Sequence, residues 1–454
     1  MKFFVGLACS MAFLLAAFLA QPRLWRDAVP PEDPLAAARW MASHPVDWNA
    51  AAALTDNALD ARSDKRFALW RAAYDAASHL APLRPSPRTS FVRAGLFHWY
   101  ELGDGDRKAV VAALEPMLRD PQVFSDMYLS LWSLTRDFEL LRRANPHDVN
   151  GTYNLRELAV IYGRFDDYRA LRGELRNRYL AEFEQRRDRP PADLLTLVPN
   201  PIDDADTPLI QAILNELHRR PLDNSTTAMP MTSALVEFAL DRDLKPVDGL
   251  DELARADALL SPSLRARLAL RLGHTDLASR IAVTNATSNA PDWRAYHRDR
   301  ALFEARHGDL AGAEAQLLAA GSDDPQSLET AAEVAEILGN TALAAQRRTE
   351  LASKYGDPKT WDDTCSGDLC RSAYRWIYAS APRTVSITMT LVQSDEVPPY
   401  VEVFLDGARV AEAAVTAQGA GVHFEIPSKG LHKIEVRLVN RFTRNHTERR
   451  VRLS

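Results

Sequence analysis

The hydrophobic residues of this chain follow two different spacings. From about residue 34 to 356 they recur every three or four positions, and Leu69, Ala72, Ala73 and Ala76 illustrate the single helical face that results. After Pro382 they alternate with polar residues, which is the period of a strand with one buried face. The pattern predicts a mainly α-helical protein that ends in a small antiparallel β-domain.

Glycine turns divide the helical region between residues 261 and 356. Gly273, Gly308 and Gly339 lie 35 and 31 residues apart, and each is predicted to end a helix because glycine accepts a left-handed conformation. Asp309 is expected to cap the next helix by accepting a backbone hydrogen bond. Pro325 prevents that helix from continuing. The turns therefore predict consecutive pairs of antiparallel helices.

This segment resembles the tetratricopeptide repeat (TPR) family. Its best repeat has Ala301 in the first helix, Gly308 at the turn and Ala313 with Leu317 in the second helix, although His297 stands where the family places a large aromatic residue. The resemblance implies a TPR-like α-solenoid. The predicted segments are degenerate repeats over 34–190, a Pro/Asp-rich interruption over 191–208, further repeats over 209–260 and the best repeats over 261–356.

The resemblance also implies a concave surface that binds a peptide or another protein. The first helices of such repeats line the concave side. Tyr296, His297 and Arg300 are therefore the candidate partner-binding residues.

The alternating region, residues 383–454, is predicted to hold about six strands in a small antiparallel β-sandwich. Asp406-Gly407 is the signal of a two-residue hairpin. The apolar positions that alternate with polar ones are Val385, Ile387, Met389 and Leu391; Val401, Val403 and Leu405; Val422, Phe424 and Ile426; and Ile434, Val436 and Leu438.

The stretches 401–407 and 430–437 together resemble two kinds of surface module, bacterial envelope β-domains and the xylan-binding type of carbohydrate-binding module. The second resemblance implies a glycan platform of Tyr400, Phe404 and His423, and the alternative is that these rings pack on the adjoining helices. Calcium is doubtful because Asn440-Arg441 stands where an acidic partner would be needed. The basic residues that follow face either an anionic glycan or lipid, or solvent: Arg441, Arg444, Arg449, Arg450 and Arg452.

The N-terminus predicts export. Residues 3–20 are uncharged and mostly apolar, which is near the length that spans a bilayer and long for a signal-peptide core. Residues 1–22 are therefore a signal anchor in the inner membrane or a cleaved signal peptide. Residues 23–33 are a proline-containing linker. The body of the protein is then expected in the periplasm, or secreted if the signal is removed.

Two cysteines lie in the connector predicted over residues 357–382. Cys365 and Cys370 are separated by four residues that include Gly367-Asp368, a spacing that fits a small disulfide-closed loop or two free thiols. The pair lacks the further ligands of a metal site and the two-residue spacing of a redox motif. A disulfide agrees with an exported protein.

The chain has 454 residues and a net charge of −6, which gives no general attraction to a phosphate backbone and disfavours nucleic acid as a partner. No catalytic motif is present, so that neither an enzyme nor a cofactor is expected. The sequence favours a membrane-tethered scaffold that binds a protein partner in envelope or polysaccharide-export assembly. The competing hypothesis is a glycan-binding protein whose sandwich contacts polysaccharide.

Overall fold

The computed structural model describes residues 48–62, 64–81, 84–222, 230–256, 260–285, 291–357, 361–363, 369, 371–444 and 447–454. The predicted membrane segment, the linker and both Cys365 and Cys370 lie outside these ranges. Within them, no helix combines the length and apolar character needed to cross a membrane. The chain forms two compact units, Met1–Gly151 and Thr152–Ser454.

The described part of the first unit is helical. Its core includes Trp70 and Tyr74, whose rings stack on Phe91 with centroids 4.1 and 4.0 Å away. The helices are α1 Trp48–Asn57, α2 Arg66–Leu80, α3 Ser86–Phe97, α4 Asp104–Leu114, α5 Pro121–Thr135 and α6 Phe138–Ala144, and α7 Val149–Ile161 leads into the second unit.

The second unit continues with helices that pair as the glycine spacing predicts. Gly308 has a φ of 80°, and the amide of Asp309 donates to Glu304 O at 3.0 Å across the turn. The Asp309 side chain accepts from the Gly312 amide at 2.9 Å, which confirms the predicted cap. These helices are α8 Phe165–Arg186, α9 Pro191–Leu194, α10 Thr207–Arg219, α11 Pro230–Asp241, α12 Asp251–Arg255, α13 Pro262–Arg271, α14 Thr275–Asn285, α15 Arg294–Arg306, α16 Leu310–Ala320, α17 Pro325–Ile337 and α18 Thr341–Tyr355.

The last three pairs stack in sequence. Helix α15 contacts its partner α16 and also α13 and α17, the first helices of the neighbouring pairs. Small residues allow this close approach, since Ala301, Ala305 and Ala313 are buried together with Val334. The arrangement is that of a helical repeat.

The β-region consists of antiparallel sheets that share one core. One has the strand order β1-β2-β7-β4-β5 and another the order β10-β3-β6. Inward residues of both pack together, among them Val401, Val436 and Ile387. The strands are β1 Asp362–Asp363, β2 Ser372–Ala379, β3 Arg383–Gln393, β4 Tyr400–Leu405, β5 Ala408–Ala414, β6 Ala420–Ile426, β7 Gly430–Leu438, β8 Thr443–Arg444, β9 Thr447–Glu448 and β10 Arg450–Leu453.

The sandwich begins earlier than the sequence pattern predicts. Strand β2 lies in the segment predicted to be a connector, and it pairs with β7 along its whole length. Its residues on the core-facing side include Arg375 between Ala373 and Ile377, so that the apolar alternation is broken. The predicted hairpin is present at Asp406-Gly407, where both residues have positive φ.

Candidate functional site

The outer face of the five-stranded sheet is partly covered by helix α8. This helix starts after the Gly163 turn and presents Tyr168, Leu171 and Leu175 at helical spacing as buried residues. Tyr400 at the start of β4 stacks on Phe165, with ring centroids 4.3 Å apart. Every residue of β4 is buried. Its inward residues lie in the sandwich core. Of its outward residues, Tyr400 and Glu402 lie beneath the helix and Phe404 lies beneath Arg437 of β7.

A cleft of about 590 Å³ lies beside this contact. Its walls are helices α7 and α8, the loop 199–206, and strands β2, β4, β5 and β7 with the residues that follow β7. The lining is rich in tyrosines and charged side chains. It includes three tyrosines (Tyr153, Tyr168, Tyr179), seven arginines (Arg156, Arg172, Arg176, Arg371, Arg409, Arg437, Arg441) and five carboxylates (Glu157, Asp203, Asp206, Glu402, Glu435).

Arg172 joins the helix wall to the sheet wall. Its Nη1 lies 2.5 Å from Glu402 Oε1 and 2.9 Å from Glu412 Oε2. The two glutamates face each other across strands β4 and β5, so the guanidinium lies where two like charges would otherwise repel. The Tyr168 hydroxyl donates to Glu402 at 3.0 Å, and burial raises the pKa of Tyr168, with the Glu402 charge adding to the effect.

The loop wall is built on a capping box. The Asp203 side chain accepts from the Ala205 amide at 2.8 Å, and the Asp206 side chain accepts from the Asp203 amide at 3.0 Å. Arg176 forms ion pairs with both carboxylates, with an N···O distance of 3.4 Å in each. Burial raises the pKa of Asp206, although its bond from the Asp203 amide opposes the shift.

Three arginines line the end of the cleft formed by β2, β7 and the chain after β7. Arg437 lies over the Phe404 ring at 4.2 Å and bonds Glu435 at 2.6 Å. Arg441 pairs with Glu448 at 3.3 Å. Arg371 is exposed, and among the described residues its guanidinium has neither a hydrogen-bond nor an ion-pair partner. Arg371, Arg437 and Arg441 are named the arginine end below.

Each carboxylate of the lining accepts from an arginine. Besides the pairs described above, Arg156 holds Glu157 at 2.7 Å, and Arg409 joins Arg172 on Glu402 at 3.2 Å. The lining supplies oriented donors and acceptors that a ligand can meet.

The candidate partner-binding residues are only partly accessible in the structure. Tyr296 is 3% exposed and makes an edge contact with Trp293, so its side chain does not lie on an open surface. The side of the first helix that carries it packs into the core of the unit. The role of Tyr296 in partner binding stays a prediction. His297 is bonded to Gln316 at 2.8 Å, and Arg300 pairs with Glu304 one turn along the same helix.

The candidate glycan platform is not an exposed surface. Tyr400 and Phe404 are each 2% exposed. Tyr400 packs on Phe165 of helix α8, as the packing alternative predicts, whereas Phe404 lies beneath Arg437 of strand β7. His423 is exposed and bonded to Ser386 at 2.7 Å on the other sheet. The three side chains therefore do not form one platform.

The basic C-terminal residues have different surroundings. Arg449 is 1% exposed, and it forms a two-pronged pair with Asp395 at 2.8 and 2.9 Å. It also donates to Ile161 O at the end of α7, 2.9 Å away. Its predicted exposure is wrong, because it caps a helix from within the protein. Arg450 pairs with Glu448 at the surface.

No cation site is evident in the described ranges, where no three His, Cys, Asp or Glu side chains come together. Asn440 stands where the carbohydrate-binding module would need an acidic calcium ligand. It is buried, and its Oδ1 accepts a hydrogen bond from the Tyr400 amide at 2.7 Å. It therefore shapes the sheet edge. The predicted disulfide between Cys365 and Cys370 lies outside the described residues.

The sequence gives little signal for the cleft. Its walls come from residues 153–206 and 371–441, and the arginines among them have no distinguishing spacing. The tyrosines at 153, 168 and 179 are the strongest available hint, since they recur on two neighbouring helices. No protein-family model matches the chain, and no curated protein is significantly similar to it in sequence.

Proposed function

We propose that this chain is an exported, non-catalytic glycan-binding protein whose ligand lies in the cleft between α7, α8 and the five-stranded sheet. The observation that carries the proposal is the composition of that cleft. Tyrosine rings, guanidinium groups and carboxylates line about 590 Å³ of space, and each carboxylate is paired with an arginine.

Such a lining complements a ligand with many hydroxyl groups. Carboxylates such as Glu157 and Asp203 can accept hydrogen bonds from sugar hydroxyls, whereas guanidinium groups donate to ring and hydroxyl oxygens. Tyr153 is 38% exposed, which leaves ring area for the apolar face of a pyranose. The interleaved acids also argue against a uniformly charged phosphate backbone as the ligand.

The test is a glycan array with the purified full-length protein, followed by titration of the best ligand. Tyr153→Ala removes ring area from the cleft and should weaken binding about tenfold. Tyr100→Ala is the matched control, because Tyr100 is 79% exposed and lies in the other unit. Equal affinities for the two variants, or an array without bound glycan, would reject the proposal.

A second candidate function, a protein-binding scaffold, is favoured by a separate observation on the helical pairs. Val283 on α14 and Leu318 on α16 are 87% and 81% exposed. Each lies ten residues after the turn glycine of its pair, so that they occupy equivalent positions on adjacent pairs. We propose that an apolar segment of a protein partner packs on these two side chains.

Thr349 occupies the same position on the next pair and is exposed. In affinity purification from solubilised membranes, the double variant Val283→Asp/Leu318→Asp should lose the partner, whereas Thr349→Asp should retain it. Recovery that is the same for both variants would argue against this surface.

A further inference from the structure

We infer that the glycan is acidic and that its anionic group binds at the arginine end of the cleft. The inference rests on the proposed function and gives the ligand its chemical class. An anionic sugar is one that carries a carboxylate, sulfate or phosphate, and all three present the oxygen pairs that guanidinium groups bind in two-pronged fashion.

The sheet brings the three arginines together. Ser372 pairs with Arg437 across β2 and β7, and the amide of Leu438 donates to Arg371 O at 2.7 Å. Arg371 therefore lies beside the end of β7, and Arg441 follows three residues after Leu438. All three line the same cleft.

The charges at this end are not balanced. Glu435 is held by Arg437 at 2.6 Å through Nε and at 3.3 Å through Nη2. Glu448 is shared by Arg441 and Arg450, each at 3.3 Å. Among the described residues, the Arg371 guanidinium donates to no other group. An incoming anion can therefore accept hydrogen bonds from it without displacing a carboxylate.

The rest of the cleft suits the sugar to which that anion is attached. Tyr153 and Arg156 lie together on α7, with the guanidinium 4.7 Å from the ring centroid, and α7 forms a wall opposite the strands. The acids of the lining would repel a ligand charged at every position. A sugar chain with anionic groups at intervals meets both kinds of surface.

The experiment measures binding of the full-length protein to pairs of oligosaccharides that differ only in charge. The first pair is an oligogalacturonate and its methyl ester, and sulfated and phosphorylated oligosaccharides with their neutral parents form two further pairs. In each pair that shows binding, we expect the anionic oligosaccharide to bind at least tenfold more tightly than its neutral counterpart. The affinity of the anionic oligosaccharide should fall with added salt. The pair with the largest ratio identifies the anionic group.

Arg371→Gln keeps a polar side chain with N–H donors and removes its charge. It should weaken binding of the acidic ligand about tenfold, because a charge-assisted hydrogen bond is lost, and should weaken binding of the neutral counterpart less. Arg306→Gln is the matched control, since Arg306 is an exposed arginine of the same unit, outside the cleft, with Glu333 3.8 Å away. Thermal unfolding of both variants should match that of the parent protein.

The outcomes separate the two proposals. If acidic and neutral members bind equally, or Arg371→Gln binds the acidic ligand as the parent does, the acidic assignment is overturned and glycan binding stands. If no oligosaccharide of any charge binds, the proposed function fails and this inference fails with it. If Arg371→Gln selectively weakens binding of the acidic ligand and the control Arg306→Gln does not, the result supports both the glycan-binding function and the acidic assignment.

Discussion

His432 lies between two oxygen acceptors. Its Nδ1 is 2.7 Å from Asp406 Oδ2 and its Nε2 is 3.1 Å from Ser428 O. A neutral imidazole carries one N–H, whereas the protonated ring donates to both oxygens. The hydrogen bond to Asp406 raises the pKa of His432, although burial opposes the shift. The protonated ring therefore fastens the hairpin tip to β7.

Stability should depend on pH through this residue. A histidine whose pKa is raised in the folded state contributes stability fully below its ordinary pKa of 6.5, and the contribution is lost as the pH rises through the higher folded-state value. His432→Gln retains one donor and cannot titrate. Thermal unfolding measured between about pH 5.5 and 8.5 should fall less steeply for this variant than for the parent.

His423 provides the comparison, since it is exposed and its partner Ser386 is uncharged. The effect of His432→Gln is measured relative to that of His423→Gln, which replaces an exposed histidine. Parallel profiles for the parent and His432→Gln would show that the imidazolium adds nothing to the fold.

At the scale of elements, the docking of α8 on the sheet depends on Arg172. Its side chain is 17% exposed and that of Glu402 is 8% exposed. Arg172→Met keeps the aliphatic volume but leaves Glu402 and Glu412 facing each other without their shared counter-ion. Breaking a buried pair in this way costs about 3 kcal/mol, and urea unfolding should detect that loss in the free energy of unfolding.

Arg255→Met serves as the control for the loss of a guanidinium. Arg255 is 58% exposed and pairs with Asp251 one turn away at 2.7 Å, an arrangement worth less than about 1 kcal/mol. Equal losses in the two variants would mean that α8 is held by its apolar contacts and not by the arginine.

Strand β4 shows what alternation can and cannot predict. Val401, Val403 and Leu405 lie in the sandwich core as the pattern predicts. Glu402 and Phe404 look like solvent-facing residues in the sequence, yet they are buried because α8 and Arg437 cover them. Alternation along a strand predicts which residues lie on the same side of the sheet. It does not predict whether another element packs on the outer side.

The same limit applies to the cleft and to the helical repeats. Turn chemistry is local, so Gly308 and Asp309 could be assigned from neighbouring residues alone. The contact of Arg172 with Glu402 joins residues 230 positions apart, and no local pattern encodes it. The alternation of apolar residues does not predict strand β2 for a related reason. Arg375 on its inward side stacks over Trp361 at 4.5 Å and interrupts the apolar period.

At the scale of the whole second unit, the helices and the sandwich share contacts at several separate places. Arg449 on the sandwich donates to the end of α7 at 2.9 Å. Tyr378 of β2 packs with Leu328 and Leu351 of the last helical pair. Arg242 after α11 donates to Asp406 O at the hairpin tip. A sandwich joined at so many points is expected to unfold together with its helices.

Hydrogen exchange in increasing denaturant tests this expectation. Peptides from α7, α17, β4 and β7 should lose protection at one denaturant concentration. Arg449→Lys removes a two-pronged pair with Asp395 and a helix-end bond that an ammonium group cannot reproduce, and the loss of these charge-assisted hydrogen bonds should cost about 2 kcal/mol. All four peptides should then lose protection at the same lower concentration, although only one residue of the sandwich has changed.

Arg450→Lys is the adjacent control, because Arg450 is 44% exposed and its bond to Glu448 is 3.3 Å long. It should leave every transition in place. Asp395 adds a second check, since its bond from Arg449 lowers its pKa, so the shared stability should fall as the pH drops through that lowered value and should do so less in Arg449→Lys. If Arg449→Lys shifted the strands and left α7 and α17 unchanged, the sandwich would be an independent domain, and a cleft whose walls belong to both parts would then close and open with their separation.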